Sequence, residues 1–541
     1  MKFVFVTGGV VSSLGKGITA ASLGRLLKCR GYRVAMQKFD PYINVDPGMM
    51  SPYQHGEAFV TDDGGVCDLD IGHYERFIDE NCSKLSDLTT GYIYNNIITR
   101  EQRGEFNGST VQVIPHITNE IKRCMTDLAR NTDADVVIVE VGGTVGDIEG
   151  LPYLEAIRQM RYDRKAGVEA VCYVHVTLVP YLRRAGEIKT KPTQHSVKQL
   201  LSIGIQPDVV VLRTEVPIDA SVTDKVELFC NLDRGHVVQN IDADSLYEVP
   251  LLLHEQGLDS LVCQTLGLSA DTPPDLTEWR GILQKQLHRQ NRVKVALVGK
   301  YVELNDAYLS ICEALEHAGI ALGLHVDVTR VSSELITAET AGELLGGAAA
   351  IIMPHGWGQR GTSGMIEAAR YARVHGVPLL ASGLAAQMAV ASFARDVCDM
   401  PEAHSMEVAP QTPFPVVAPA PGQTGALPEM RQGACPCTLV PGSLCAEVYG
   451  QTAIRERHRH RYEFNQAYVP KLEACGLKCA GYHSVNGLVE VFELAGHPFY
   501  VLVQFCPEFT SRPNRPHPLM LALLGACVAG RTVTPNVTDE G

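Results

Sequence analysis

Phe3-Val4-Phe5-Val6-Thr7, running into Gly8-Gly9-Val10-Val11-Ser12-Ser13-Leu14-Gly15-Lys16-Gly17, decides the fold of the first half of the chain. The stretch predicts a buried strand, a glycine-rich loop and a helix from about Ile18. This order aims backbone amides and a helix N-terminus at phosphate groups, with Lys16 as a point charge. The loop departs from the pattern GxxxxGK[ST], because Val10 stands at the first glycine and Gly17 replaces the hydroxyl residue. Taken alone, it is also compatible with a glycine turn and a surface lysine.

Composition limits the classes of function that need to be considered. The 541 residues are enough for two to four domains, and the net charge of −14 argues against a nucleic-acid surface. No stretch approaches the roughly 18 apolar residues of a membrane helix, and Met1 leads directly into a strand. The 16 cysteines are scattered, and Cys435/Cys437 and Cys475/Cys479 have poor zinc spacings. We expect a soluble, cytoplasmic protein with reduced thiols and neither a nucleic-acid nor a membrane partner.

Strand-like runs alternate with helical periods, which predicts two α/β domains. The first domain is expected to be a P-loop-like, doubly wound parallel sheet, with strands near 34–38, 136–141, 170–176 and 209–213. The pattern restarts with strands near 293–298, 326–331 and 348–353. The predicted boundaries are 1–267 for the first domain, 268–291 for a linker with a helix near 279–290, 292–530 for the second domain and 531–541 for a tail. Residues 409–425 are predicted to form a surface loop.

Charged residues follow several of the predicted strands of the first domain. Lys38 ends the second strand, Glu140 ends a later one, and Asp70 lies in the run Asp68-Leu69-Asp70. Open α/β sheets bind ligands at the carboxyl ends of their strands, where two carboxylates can hold magnesium on ATP phosphates. A structural salt bridge is the alternative for either carboxylate alone. The run 189–196 (KTKPTQHS) is cationic and rich in hydroxyls, which suits a second polyphosphate or an ordinary solvated loop.

These motifs together resemble the CTP synthase family over nearly the whole chain. The resemblance rests on the loop 6–17, Asp40-Pro41-Tyr42-Ile43-Asn44, Asp68-Leu69-Asp70, the run 142–149 (GGTVGDIE) and the run 189–196, in family order. It implies an amidoligase domain, in which ATP phosphorylates O4 of UTP and an amine displaces the phosphate. A class I glutamine amidotransferase domain of the flavodoxin-like type is then expected to follow it. It also implies ATP as co-substrate, Mg²⁺ as cofactor, CTP as feedback inhibitor and a homotetramer.

The resemblance assigns roles to particular residues of the first domain. Lys16 and Lys38 would be catalytic, neutralising the transferring phosphoryl group, and Asp70 and Glu140 would hold the metal. The ATP-binding residues would be Ser13, Leu14, Gly15, Lys16, Gly17, Ile18, Arg213, Asp242 and Ala243. The residues that contact UTP or CTP would be Ser12, Asp147, Ile148, Glu149, Lys189, Thr190, Lys191, Gln194 and Lys225. Pro52, His55 and Ala58 would form the ammonia gate.

The second domain lacks the family's glutaminase residues. The family places a cysteine nucleophile on a strand-to-helix elbow and a His-x-Glu pair downstream. Here Gly383 stands at the nucleophile and Cys506 at the histidine, while Glu508 is kept. His355 replaces a glycine of the oxyanion loop. Ser382 and Cys506 are poor replacement nucleophiles, since the elbow presents only its central side chain and Cys506 has no evident activator.

Four further differences lie along the route from the second domain to the first. Ala58 stands for a valine of the gate, Gln102 for an arginine and Asn107 for a leucine, and Arg183-Arg184 replace small residues. Drift explains them if ammonia is no longer delivered from glutamine. Adaptation to a larger, carboxylate-bearing amine is the other explanation.

The sequence therefore predicts an ATP-dependent carbon–nitrogen ligase that uses free ammonia and has no glutaminase activity. One alternative is the same chemistry with a larger amine, giving an N4-substituted CTP. Another is a non-catalytic, nucleotide-binding regulatory or filament-forming homologue. A glutamine-dependent enzyme with unrecognised residues is the least favoured.

Overall fold

Seven parallel strands form the sheet of the first unit in the computed structural model, which describes residues 1–11, 14–423 and 427–529. The strands are β1 (Lys2–Gly8), β2 (Val34–Asp40), β3 (Asp87–Thr89), β4 (Val136–Val141), β5 (Ala170–Leu178), β6 (Val209–Thr214) and β7 (Val237–Ile241). Their order across the sheet is β7-β6-β5-β1-β4-β2-β3. The central strands are covered on both faces, which is why they read as continuous apolar runs. A doubly wound first domain is confirmed.

Helices flank this sheet and close the connections between its parallel strands. They are Lys16–Cys29, Asp70–Ile78, Thr90–Gln102, Thr118–Thr132, Leu151–Met160, Lys191–Ser202, Ala220–Cys230, Val249–Glu255, Leu258–Thr265 and Thr277–Leu287. Two short strands, Tyr181–Leu182 and Glu187–Ile188, form a hairpin before the run 189–196. The first helix begins at Lys16, two residues earlier than predicted, because Gly15 adopts a left-handed φ of 85° and turns the chain into it.

The second unit contains a nine-stranded mixed sheet. Its strands are β8 (Asn291–Gly299), β9 (Leu324–Ser332), β10 (Ala350–Met353), β11 (Leu379–Ser382), β12 (Arg431–Leu439), β13 (Ala453–His460), β14 (Leu477–His483), β15 (Val489–Leu494) and β16 (Tyr500–Val503). The order is β9-β8-β10-β11-β16-β15-β14-β12-β13, parallel from β9 to β16 and antiparallel beyond. The predicted second α/β domain is confirmed.

The helices of the second unit are Pro52–His55, Leu309–Leu322, Ala341–Leu345, Thr362–His375, Leu384–Val397, Leu444–Tyr449, Val469–Ala474 and Pro518–Ala529. A short hairpin (Phe59–Val60 and Val66–Cys67) and a three-stranded sheet (His404–Ser405, Pro415–Pro419 and Tyr462–Phe464) complete it. The loop expected over 409–425 thus contains a strand, because Val416 and Val417 are buried and Val417 pairs with Phe464.

The two units are not consecutive in sequence. One comprises the described residues of Met1–Met50 and Asp70–Leu283, and the other comprises Ser51–Leu69 and the described residues from Gln284 onward. The segment Ser51–Leu69, which lies within the sequence of the first unit, therefore belongs to the second unit. The boundaries drawn from the sequence kept this segment in the first domain, and they remain a prediction. The predicted tail, 531–541, lies outside the described residues.

Candidate active site

Three neighbouring strands bring the predicted catalytic residues to one edge of the first sheet. β4 lies between β1 and β2, and the register places Glu140 opposite Val6 on one side and Lys38 on the other. Lys38 and Glu140 are both nearly buried. The carboxyl ends of parallel strands share an edge, so these side chains meet where the glycine-rich loop leaves β1.

The glycine-rich loop holds Lys16 close to the sheet. The Nζ of Lys16 donates a hydrogen bond to the carbonyl oxygen of Gly143 at 2.9 Å. A Cβ at Gly8 would lie 2.5 Å from Cδ of Lys16, so only glycine leaves room for the lysine stem. Val10 has a φ of 81°, a region that a β-branched residue enters only with strain of about 1–3 kcal/mol. Strained backbone of this kind is concentrated at ligand-binding loops.

Asp70 and Glu140 form a buried acidic pair next to cations. Lys38 Nζ lies 2.6 Å from Asp70 Oδ2, and Tyr74 donates a short hydrogen bond to Glu140. Burial would raise the pKa of Asp70, but nearby cations, chiefly Lys38, outweigh it and hold the pKa below its usual range. Burial and the neighbouring Asp70 carboxylate raise the pKa of Glu140 to about 7. Paired carboxylates that repel each other in a buried site suit a hard divalent cation, so these residues fit Mg²⁺.

Asp70 also explains the glycine that interrupts the phosphate-loop pattern. A Cβ at Gly17 would lie 2.8 Å from Cγ of Asp70. The Asp70 carboxylate therefore lies against the N-terminal turn of the helix Lys16–Cys29, where a serine or threonine would stand in the usual motif. The side chain of a serine or threonine at position 17 would overlap the Asp70 carboxylate. The glycine at this position therefore makes room for Asp70.

The residues predicted to contact adenosine lie next to the loop. Arg213 donates to the carboxylate of Asp242 at 2.5 Å and to the carbonyl oxygen of Asn240 at 3.0 Å. A Cβ at Gly15 would lie 3.7 Å from Nε of Arg213, which places the arginine beside the loop. Ala243 follows in the same turn, Leu14 is buried, and Gly17 and Ile18 lie in the first helical turn. Ser13 lies outside the described residues.

The run 189–196, expected as a loop, is helical from Lys191 onward, and a hydrogen-bonded chain links β1 to this helix. Thr7 Oγ1 and Ser196 Oγ each lie 2.8 Å from a ring nitrogen of the buried His175. Burial, followed by the charge of Lys16, lowers the pKa of His175 to about 3, so its ring is neutral. A Cβ at Gly9 would lie 2.7 Å from Cβ of Ser196. The sheet therefore fixes the position of this helix, Lys191–Ser202.

The other predicted UTP contacts surround the start of this helix. Gln194 donates to Thr190 at 3.1 Å, Lys189 pairs with Glu187, and Lys191 lies 5.9 Å from the ring centre of Phe229. Asp147 accepts from the backbone N–H of Thr144 at 2.9 Å. Ile148 and Glu149 are exposed beside it, as is Lys225 on the helix Ala220–Cys230. Ser12 lies outside the described residues.

The predicted gate residues belong to the segment that packs with the second unit. Pro52 and His55 bound a one-turn helix, and Ala58 follows it half-buried. The Glu57 carboxylate accepts hydrogen bonds from the backbone N–H of Ser310 at 3.0 and 2.9 Å. Arg457 donates to Asp62 at 2.6 Å. The gate segment is therefore anchored to the second unit.

At the strand-to-helix elbow of the second unit stands Gly383, which has no side chain. Gly383 joins β11 to the helix Leu384–Val397 with φ 51° and ψ −124°, the sharp turn that exposes a catalytic side chain in such folds. Ser382, the neighbouring hydroxyl residue, is 3% exposed. Its hydroxyl oxygen is buried and has no hydrogen-bond partner among the described residues.

Three residues that the resemblance placed at the glutaminase site meet at the elbow. His355 Nδ1 lies 3.2 Å from Glu508 Oε1, and one donor atom each of His355, Cys506 and Glu508 lies within 4.8 Å of the others. Burial, followed by Glu508, raises the pKa of Cys506 well above its ordinary value, so the thiol is protonated and a poor nucleophile. The resemblance predicted that they lie at one site, but it did not predict that they form a set of three donor atoms.

The loop that carries His355 is held from both sides. Lys300 Nζ donates to the carbonyl oxygens of Trp357 and Gly358, at 2.6 Å each, and burial lowers the pKa of Lys300 to about 8. Glu407 accepts from the backbone N–H of Gly358 at 2.8 Å. His355 is therefore presented on a fixed loop.

Comparison with known proteins agrees with this organisation. Two family models match, "CTP synthase N-terminus" over residues 2–268 and "Glutamine amidotransferase class-I" over residues 303–526. CTP synthase from Clostridium perfringens is 54% identical over 530 residues, which cover 97% of this chain and 98% of the relative. CTP synthase from Moorella thermoacetica is 56% identical over 529 residues, with coverage of 97% and 98%. A solved glutaminase domain of Trypanosoma brucei CTPS with bound acivicin is 34% identical, covering 44% of this chain and 96% of that one, with a TM-score of 0.42.

A CTP synthase N-terminal unit joined to a class I amidotransferase unit defines, by class, an amidotransferase-linked ligase. The chain belongs to the CTP synthase family, whose members are carbon–nitrogen ligases. Within the described ranges, no helix has the length and apolar character needed to cross a bilayer.

Proposed function

We propose that this chain converts UTP to CTP with ATP, Mg²⁺ and free ammonia, and that its second unit no longer hydrolyses glutamine. One contrast carries the proposal. The cluster of Lys16, Lys38, Asp70 and Glu140 is complete, whereas the elbow of the second unit presents only the backbone of Gly383. Relatives named CTP synthase, which align with this chain over nearly their full length, support the ligase reaction.

In the proposed reaction, O4 of UTP attacks the γ-phosphorus of ATP. The bond to the bridging oxygen breaks, ADP leaves and N3 of the uracil loses its proton. Ammonia then adds at C4, loses a proton, and expels the O4 phosphate as inorganic phosphate. Lys16 would leave the Gly143 carbonyl for phosphate oxygens, and Lys38 would offset charge on the transferring group. Bound Mg²⁺, held by Asp70 and Glu140, would supply charge neutralisation on the ATP phosphates.

Nucleotide recognition divides between two sides of the loop. We propose that Arg213 and the turn of Asp242 hold the adenosine, while Lys189, Lys191 and Gln194 hold the UTP triphosphate. The exposed turn of Asp147 and Glu149 suits ribose hydroxyls, including those of inhibitory CTP. A homotetramer is part of this proposal by resemblance to the family.

A larger acidic amine remains the second candidate as nitrogen donor. The exposed pair Arg183-Arg184 would be its binding feature, but Arg183 already donates to Glu215 at 2.9 Å. This ion pair weakens the case for a two-arginine carboxylate clamp, so we favour ammonia. A purely regulatory chain is less favoured, since a non-catalytic protein has no need of both the lysines and the acidic pair.

The test compares nitrogen sources with the purified full chain. CTP formation from UTP, ATP and Mg²⁺ is followed by mass spectrometry with ammonium, glutamine and a panel of amines, at mildly alkaline pH where more ammonium is free NH₃. We expect ammonium to support turnover and glutamine to yield neither CTP nor glutamate. The Lys38→Met variant provides the inactive control. Glutamate released at the rate of CTP formation would refute the proposal.

A further inference from the structure

The residues around Gly383 form a cluster of three metal-type donors. His355 lies in the loop after β10, Cys506 follows β16, and Glu508 lies in the single turn Pro507–Thr510. An imidazole nitrogen, a thiol sulfur and a carboxylate oxygen of these residues lie within 4.8 Å of one another. Cys506 is 0% exposed and Glu508 is 2% exposed, while the side chain of His355 is 16% exposed. The cluster is therefore nearly closed, with access beside the histidine.

An unsatisfied carboxylate oxygen provides a second observation. Glu508 Oε1 faces His355 Nδ1 at 3.2 Å, but Glu508 Oε2 is buried and has no hydrogen-bond partner among the described residues. A buried carboxylate oxygen without a partner is costly. A cation bound between the three side chains would satisfy it.

Gly383 makes room for this arrangement. A Cβ at position 383 would lie 2.9 Å from Cβ of His355, so a side chain there and the histidine exclude each other in this geometry. The three positions that differ from the family, Gly383, His355 and Cys506, are therefore close together in the structure. His355 and Cys506 thereby place a nitrogen and a sulfur donor beside the carboxylate of Glu508.

We propose that His355, Cys506 and Glu508 bind one zinc-type divalent cation. Nitrogen, sulfur and oxygen donors together suit Zn²⁺, whereas Mg²⁺ and Ca²⁺ take oxygen ligands. In a tetrahedral zinc site the donor atoms lie roughly 3.3–3.7 Å apart, so small side-chain movements close the cluster around the ion. The cation ties the loop after β10 to the end of β16 and leaves a fourth position for water. The site is thus a structural clamp where the family places its glutaminase chemistry.

The test measures metal content and binding in the full chain, purified without an affinity tag. We expect about one equivalent of zinc per chain by elemental mass spectrometry. After removal by a chelator, added Co²⁺ should give a thiolate-to-cobalt charge-transfer band in the near ultraviolet. Cys506→Ser should lose the band and the equivalent of zinc, and Glu508→Gln should weaken binding at least tenfold. Cys437→Ser, which removes another buried thiol of the same unit, is the matched control and should retain both.

Two results would overturn the proposal. One is a wild-type chain that neither contains zinc nor develops the cobalt band, although circular dichroism shows it folded. The other is equal loss of metal in Cys437→Ser and Cys506→Ser. A metal-free Cys506 that becomes covalently labelled by an electrophilic glutamine analogue would identify a relocated nucleophile instead.

Discussion

His355 occupies the space that a side chain at Gly383 would need, since a β-carbon at residue 383 would lie 2.9 Å from Cβ of His355. Restoring a nucleophile therefore requires more than one substitution. The glycine at position 383 and the position of His355 are therefore linked by sterics.

Stepwise restoration of the elbow is the first prediction. Gly383→Cys alone should lower the free energy of unfolding by roughly 1–3 kcal/mol through overpacking and should give no glutamate. Gly383→Cys combined with His355→Gly and Cys506→His should recover stability and covalent labelling by a glutamine analogue. Thermal melting and intact-protein mass spectrometry measure the two effects. Labelling of the single variant at the level of the triple variant would contradict the steric argument.

The acidic pair and the loop lysine should be required for ADP formation. Asp70→Asn, Glu140→Gln and Lys16→Ala each remove charge stabilisation of phosphoryl transfer, and we expect losses of about 100-fold or more. Circular dichroism should show an unchanged fold. Asp147→Asn, in an exposed turn, should instead alter the apparent affinity for UTP more than the maximal rate. Near-parental turnover in the first three variants would remove them from the site.

Gly17 should not tolerate a side chain. In Gly17→Ala the new methyl group would lie 2.8 Å from Cγ of Asp70 and would displace the carboxylate. Turnover should therefore fall roughly 10- to 100-fold. Gly281→Ala is the matched control, because it is also helical and a Cβ there meets nothing within 4 Å. Equal turnover in both variants would show that Asp70 can move without consequence.

Acid should destabilise the first unit through His175. Its pKa is lowered by burial to about 3, so below pH 6.5 the unfolded chain takes up a proton that the folded chain does not. The contribution of this residue is fully present above pH 6.5 and declines as the pH falls, by on the order of 2 kcal/mol between pH 7 and 5. Urea unfolding at both pH values should show a smaller decline for His175→Gln. His195→Gln, at an exposed position, should behave like the parent.

Amine selectivity will decide whether Ala58, Arg183 and Arg184 reflect drift or adaptation to a larger amine. If a bulky amine is the substrate, Ala58→Val should slow the reaction with that amine much more than the reaction with ammonia. The two added methyl groups would hinder a large amine more than a small one. Replacing Arg183 and Arg184 by alanine should weaken an acidic amine selectively. Steady-state kinetics with each amine measures these effects. Since Arg183 is already paired with Glu215, we expect equal, small effects on all amines.

Much of the first unit follows from local sequence. The run Val136–Val141 is buried along its length, so its bounds were predicted correctly, and the parallel sheet brings Lys38 and Glu140 to one edge. Asp70 was assigned to the metal from its motif, but its packing against Gly17 was not foreseen. Whether a position must be glycine depends on which side chain packs against it in the fold. The local sequence does not show this.

The second unit shows where sequence reasoning stops. Cys506 was judged to lack an activator, and its raised pKa agrees, although His355 and Glu508 lie beside it. His355 follows β10 and Cys506 follows β16. The distance between them therefore depends on the order of strands in the sheet rather than on spacing along the chain. Asn107 is a smaller example, because its φ of 49° suits asparagine better than the leucine of the family.

The detour of Ser51–Leu69 into the second unit bears on how this gene product can evolve. Glu57 and Asp62 are tied to Ser310 and Arg457, and the chain returns directly to Asp70. Excising the second half would leave this segment without its packing, immediately before Asp70, the proposed metal ligand. Under the proposed function, the second unit would be retained for packing Ser51–Leu69 even without glutamine hydrolysis.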